Sequence, residues 1–218
     1  MQYQAVVFDM DGVIFDTERL VIEFWKEVAK KHNIPNVEHT CIQCLGANRV
    51  RTREIFLENY GADFPYDPYR AEVTELFNTH YKGVPLPTKP GVRELLSYLQ
   101  EQDIKVGLAS STAQHLVRDE IGTAGLLPYF QTLVCGDMVE HSKPAPDIFL
   151  KACEILNADP TKSIAIEDSF NGIRSAHCAG MTPIMVPDQV QPTDEIRTLA
   201  FRVMPSLLDV LNWLKTLA

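Results

Sequence analysis

Asp9 and Asp11 stand two residues apart, directly after the apolar run Ala5-Val6-Val7-Phe8 and directly before Gly12. On an extended segment, residues i and i+2 point the same way. Both carboxylates can therefore face one reacting atom. One can attack as a nucleophile while the other handles a proton. Gly12 lets the backbone turn closely around a ligand. The plain alternative is a turn-forming Asp-Gly pair. A calcium loop of the EF-hand kind is excluded, because the twelfth position counted from Asp9 holds Leu20 instead of Glu.

Three more polar groups follow apolar runs or precede a helix. Ser110-Ser111-Thr112 comes after Ile104–Ala109, and Glu167-Asp168 comes after Ile164–Ile166. Between them lies His141-Ser142-Lys143-Pro144. Parallel strands would bring their following residues to one rim, and the lysine loop can reach the same rim. Carboxylates crowded there repel one another, which raises their pKa values. A hard divalent cation with oxygen ligands resolves that conflict, and Mg²⁺ suits a site that also takes phosphate. Lysine and serine suit the anionic end of a substrate. The set points to Mg²⁺-dependent phosphoryl transfer.

The elements that position these groups are legible in outline. Ala5–Phe8, Ile104–Ala109, Thr132–Cys135, Ser163–Ile166 and Pro183–Val186 are short apolar runs that suit strands buried on both faces. Val92, Leu95, Leu96 and Leu99 form a helical face, and helices are expected over Ile148–Leu156 and Gly172–Ala179. Ser169 would cap the last of these and Gly180 would stop it. This alternation predicts βαβ units and a parallel sheet, hence an α/β fold. Residues 17–87 differ. Val21, Phe24, Trp25 and Val28 make a helical stripe, Val50–Tyr60 and Tyr69–Tyr81 also fit helices, and no strand is evident. The expected organisation is a core domain of residues 1–16 and 88–218 interrupted by a helical cap of residues 17–87.

Four motifs, in chain order, carry a resemblance. They are Asp9-Met10-Asp11-Gly12, Leu108-Ala109-Ser110-Ser111, Ser142-Lys143-Pro144-Ala145-Pro146-Asp147-Ile148-Phe149 and Ile166-Glu167-Asp168-Ser169. Together they resemble the haloacid dehalogenase-like hydrolase superfamily, in its branch of sugar-phosphate phosphatases and β-phosphoglucomutases. The resemblance implies a Rossmann-like core with an inserted helical cap. It implies Asp9 as a nucleophile forming an aspartyl-phosphate, and Asp11 as general acid and then base. Ser110, with Ser111 beside it, and Lys143 would hold phosphoryl oxygens. Mg²⁺ would be bound by Asp9, the Asp11 backbone carbonyl and Asp168, with Glu167 in or beside the shell.

Cap residues bear on the reaction. Sugar mutases of this branch carry a histidine early in the first cap helix and a lysine before the cap glycine. Here Val21 and Leu45 stand at those places. Arg49 does match a cap arginine that reaches substrate phosphate in the mutase, its plain alternative being a surface charge. Asp16-Thr17-Glu18 resembles the start of the cap in phosphatase members. Phosphonate cleavage would need a Schiff-base lysine, and Lys26, Lys30, Lys31 and Lys82 all read as exposed helix charges. Dehalogenase relatives lack the second aspartate, so Asp11 argues against that chemistry. The leading expectation is a phosphatase for a small phosphorylated metabolite. A phosphosugar mutase is second, and a catalytically idle binding protein third.

Bulk properties narrow the partners. The 218 residues carry a net charge of −9, 45% hydrophobic and 22% charged residues. Nucleic acid and anionic membranes are poor partners for such a surface. No run approaches the ~18–20 apolar residues of a membrane span, and the N-terminus lacks a signal-peptide pattern. Five cysteines without a framework suggest reduced thiols in the cytoplasm. Cys41 and Cys44 form a lone CxxC, which we attribute to coincidence. A monomer is expected. The six histidines form no ligand pattern, no GxSxG elbow occurs, Asp137 and Asp147 read as turn and helix-start residues, and Trp25 and Trp213 as packing residues.

Overall fold

The computed structural model describes residues 3–217. Its strands are β1 (Ala5–Phe8), β2 (Lys105–Ser110), β3 (Thr132–Cys135), β4 (Ser163–Glu167), β5 (Thr182–Met185) and β6 (Arg202–Val203). They form one sheet in the order β3-β2-β1-β4-β5-β6, and every neighbouring pair is parallel. The chain builds outward from β1 through β2 to β3, then returns to β4 on the other side. Parallel sheets bind ligands beyond the carboxyl ends of the strands, where the order reverses. Here that place is the end of β1 and β4.

Helices cover both faces, which is why the strands are apolar on both sides. Val6 and Phe8 face one core with Leu95, Leu96 and Leu99 of α5 (Val92–Glu101) and Val210, Leu211 and Leu214 of α10 (Leu207–Lys215). Ala5 and Val7 face the other with Ile148, Phe149 and Ala152 of α7 (Asp147–Leu156) and Ala176 of α8 (Phe170–Cys178). Each fully buried Leu or Phe contributes roughly 1.5–3 kcal/mol. The remaining helices of the sheet region are α6 (Gln114–Thr123) and α9 (Asp194–Leu199).

Four helices intervene between β1 and α5: α1 (Thr17–His32), α2 (Val37–Gln43), α3 (Arg49–Tyr60) and α4 (Tyr66–Tyr81). They share a separate apolar cluster that includes Leu20, Trp25, Val28, Phe56, Tyr66 and Val73. The two chain segments joining them to the sheet run side by side. Asp16 N–H donates to the Pro87 carbonyl at 2.9 Å, and Lys89 N–H donates to the Ile14 carbonyl at 2.9 Å. No helix among the described residues is long and apolar enough to cross a membrane.

The sequence reading does not single out α6, α9 or α10, and three further elements depart from expectation. α2 has only seven residues and begins after Asn36 in a left-handed conformation, φ 53°, so it is too short to show a period. α4 starts at Tyr66 rather than Tyr69. Pro68 falls in its first turn, where a missing N–H costs nothing, so it does not break the helix. β6 is two residues long and carries an exposed Arg202, which leaves no apolar run to read. Ser169 caps α8 as expected, accepting from Gly172 N, and Gly180 follows the helix end at φ 75°.

Candidate active site

Strand register brings the first carboxylate to the centre of the sheet. Phe8 pairs with both Leu108 and Ile166, and Asp9 N–H continues the ladder by donating to the Ile166 carbonyl at 2.9 Å. Asp9 therefore lies between Ala109 and Glu167. Lys143 crosses the same strand ends from the loop before α7. Its Nζ donates to Asp9 Oδ1 at 2.5 Å, Glu167 Oε1 at 2.5 Å and the Ala109 carbonyl at 3.0 Å. Those three acceptors use all three ammonium hydrogens.

Glu167 is held at both oxygens. Oε2 accepts from Asp168 N at 3.1 Å, Ser169 N at 3.2 Å and Ser169 Oγ at 3.0 Å. Ser169 Oγ in turn accepts from Gly172 N. A Cβ on Gly172 would lie 1.8 Å from Glu167 Cδ, so the helix can approach only as glycine. Asp168 is different. Its Oδ2 is buried with no hydrogen-bond partner. A buried acceptor without a partner is costly, and one oxygen each of Asp9, Glu167 and Asp168 lie within 4.8 Å of one another. A hard cation answers both conditions, so these residues fit a divalent metal.

Electrostatics agree. Burial, with Glu167 and Asp11 adding and Lys143 opposing, pushes the Asp9 carboxyl up to about 8. Burial and then Glu167 and Asp9 hold Asp168 well above the usual carboxylate range. Burial pulls Lys143 down, but Asp9 and Glu167 outweigh it and keep the ammonium charged. One lysine among three buried carboxylates leaves a deficit of positive charge.

The Asp11 side chain takes another direction. Thr17 Oγ1 donates to its Oδ1 at 2.6 Å, and Thr112 Oγ1 to its Oδ2 at 3.0 Å. Its carboxylate is thus outside the three-carboxylate cluster of Asp9, Glu167 and Asp168. Ser110 is fully buried. Its Oγ accepts from Thr112 N at 3.1 Å, so its own hydroxyl hydrogen remains available. Ser111 Oγ reaches across to the Gly46 carbonyl at 3.4 Å.

Above these residues lies a cavity of about 1040 Å³ lined by both helical and sheet-region residues. Asp9, Asp11, Ser111 and Asp168 of the sheet region line it, as do Arg49, Thr52, Arg70 and Asn78 of the helices between β1 and α5. Arg49 is the first residue of α3. Cys41 and Cys44 also line the cavity and are free. Burial raises both thiols, Cys44 to about 12, so neither is a ready thiolate. Sequence reasoning missed Thr17 and Thr112 as holders of Asp11. It also missed Ser169 as a holder of Glu167, and Glu18 as a cavity residue. A hydroxyl next to an expected functional strand end was the available signal for Thr112.

Residues 6–186 match the haloacid dehalogenase-like hydrolase family, and the chain belongs to that family. Its class is phosphoric monoester hydrolase. The chain is 34% identical over 181 residues to a phosphorylated carbohydrates phosphatase of Thermotoga maritima, covering 83% of each. It is 35% identical over 199 residues to a β-phosphoglucomutase of Bacillus subtilis, covering 87% of this chain and 85% of that one. A solved β-phosphoglucomutase of Clostridium difficile has the same fold, with a TM-score of 0.80 at 24% identity over 98% and 96% of the two chains.

Proposed function

We propose that this protein is a Mg²⁺-dependent phosphatase of a small phosphorylated carbohydrate, acting through an aspartyl-phosphate on Asp9. The observation that carries this reading is the floor of the cavity, where Lys143 bridges Asp9 and Glu167 beside the unpartnered Asp168 Oδ2. Asp9 attacks phosphorus and is released when water cleaves the acyl phosphate. Asp11 donates a proton to the leaving oxygen and then takes one from that water. Thr17 and Thr112 hold Asp11 in place, and their hydroxyls can rotate to serve either protonation state. Ser110 and Lys143 bind phosphoryl oxygens, Lys143 by giving up one of its three present acceptors, with Ser111 at the edge toward Gly46. Mg²⁺, held by Asp9, Asp168 and the Asp11 carbonyl with Glu167 beside it, would neutralise charge on the phosphoryl group.

In this reading residues 17–87 act as a cap over a core of residues 1–16 and 88–218, in a cytoplasmic monomer. The relatives named for carbohydrate phosphates support the substrate class. Arg49 in the cavity wall favours a second reading, a phosphosugar mutase. Val21 lines the cavity where a mutase would carry histidine, and the buried Leu45 where it would carry lysine, so the phosphatase is preferred. The test is release of inorganic phosphate from a panel of sugar phosphates and an aryl phosphate. It is run with Mg²⁺, with chelator and with Asp9→Asn. Metal-dependent release lost in the variant is expected; isomer formation without release would install the mutase.

A further inference from the structure

Asp16 stands at the N-cap of α1 and does not cap it. An aspartate there ordinarily accepts from a backbone N–H of the first turn, with its own backbone extended. Asp16 instead has φ −81° and ψ 39° and makes no such bond. Its carboxylate is engaged elsewhere. Oδ2 accepts from Arg19 Nε at 2.7 Å, and Oδ1 lies 3.5 Å from Lys89 Nζ. The arginine is half exposed and sits one turn along the same helix, a kind of pair that is worth little. Lys89 is the better anchored of the two.

That anchor is Asp188. Lys89 Nζ donates to its Oδ1 at 2.7 Å, and the Asp188 side chain is only 5% exposed. Asp188 follows β5, where Val186 N–H donates to the Glu167 carbonyl and keeps the segment against the end of β4. Lys89 itself lies on the return from the helices, its N–H donating to the Ile14 carbonyl. One ammonium thus joins the sheet region, the outgoing segment and the returning one. Thr17 is the next residue after Asp16, buried, with its hydroxyl on Asp11 Oδ1. The Asp16 ψ angle sets the direction in which that hydroxyl leaves the chain. Releasing the Asp16 carboxylate to cap α1 would open ψ toward the extended region, and Thr17 would turn away from Asp11.

We propose that Lys89 is a positioning residue for the proton donor: held by Asp188, it keeps Asp16 off the helix end and thereby keeps Thr17 on Asp11. This rests on the phosphatase reading. There Asp9 takes phosphorus, the bond from phosphorus to the leaving oxygen breaks with its electron pair on that oxygen, and Asp11 gives the proton. Lys89 is not among the residues lining the cavity, so it acts through that proton and not through substrate contact. A leaving group that is stable as an anion does not need the proton.

The test compares phenyl phosphate with dinitrophenyl phosphate, esters alike in shape and unlike in that need. Each is assayed for kcat/KM of phosphate release with wild type, Lys89→Met, Lys89→Arg and Asp16→Asn. Lys89→Met should lose about tenfold on the phenyl ester, a part of the ~10²–10⁴ that a positioned proton donor supplies, and about twofold or less on the dinitrophenyl ester. Asp16→Asn should share that pattern, because asparagine caps a helix as well as aspartate does. Lys89→Arg keeps a cation between Asp188 and Asp16 and should recover most of the loss. Adding Lys89→Met to Thr17→Val should cost about twofold or less, because both act on one bond. Equal losses on the two esters, or full additivity with Thr17→Val, overturn the proposal. Should Lys89→Met not fold, with Asp188 left buried beside no cation, the double variant Lys89→Met with Asp188→Asn removes both charges and carries the same comparison. Release of phosphate from neither ester by wild type would sink the phosphatase reading alone. Hydrogen exchange then decides Lys89. The amides of Asp16 and Thr17 should exchange about tenfold faster in Lys89→Met than in wild type, and unchanged exchange there overturns its role.

Discussion

Gly12 and Asp168 are fitted to each other: a Cβ built on Gly12 would stand 2.2 Å from Asp168 Oδ2, the buried oxygen without a hydrogen-bond partner. Gly12 also has φ 81°, a region that costs other residues about 1–2 kcal/mol. The turn after Asp11 thus passes against the carboxylate that fits the cation. Gly12→Ala should cost about 1–2 kcal/mol in backbone strain alone and push Asp168 out of line. Its Mg²⁺ requirement should rise and activity fall by about a hundredfold. Mg²⁺ titration of phosphate release checks this; unchanged half-saturation would contradict it.

Lys143→Met should separate stability from chemistry. It leaves Asp9 and Glu167 buried without their shared cation, and breaking a buried pair from one side costs about 3–5 kcal/mol. Urea unfolding at pH 7 should show that loss. At pH 9 the penalty should grow, because Asp9, pushed up to about 8 by burial, is ionised there and lacks its cation. An equal loss at both pH values would argue that Lys143 does not compensate Asp9.

The metal-free protein should grow less stable as pH rises through neutrality. The Asp9 carboxyl titrates at about 8 when folded against 3.8 in the open chain. Its contribution is therefore fully present below about pH 4 and lost as pH approaches 8. In chelator the melting temperature should fall between pH 5 and 8. Mg²⁺ binding at pH 7 should release protons and tighten with pH over the same window. Calorimetry in two buffers of different ionisation enthalpy measures the release, and a heat independent of buffer would refute the linkage.

Thr17→Val and Thr112→Val test the holding of Asp11. Each removes a hydrogen bond to a carboxylate, worth about 1.5–3 kcal/mol. Because Asp11 acts in the chemical step, kcat should fall about tenfold or more with KM little changed. A rise in KM at constant kcat would instead make the threonines substrate contacts.

The amino-acid sequence by itself determined where the chemistry gathers. Apolar runs ending in Asp9, Ser110 and Glu167 predict parallel strands, and parallel strands leave their following residues on one rim whatever the details of packing. Asp9, Glu167 and Asp168 are brought together there by their places at strand ends, and Lys143 reaches them from the loop before α7. Period and burial are local signals, and they sufficed for five of the six strands and for α1, α3, α5, α7 and α8. They failed where an element spans only about two turns or one strand repeat, as in α2 and β6, and they did not single out α6, α9 or α10.

Only the tertiary structure decided which atoms pair. Lys143 meets Asp9 across 134 residues, and Thr112 meets Asp11 across 101. A carboxylate in a sequence has no stated partner; its role depends on which donors the fold carries to it. That choice gave Glu167 to Lys143 and Ser169, turned the Asp11 side chain toward two threonines, and left Asp168 Oδ2 unpartnered. The physical reason is that strand pattern encodes burial over a few residues, whereas hydrogen-bond partnership is set by distances that exist only after β1, β2 and β4 have paired.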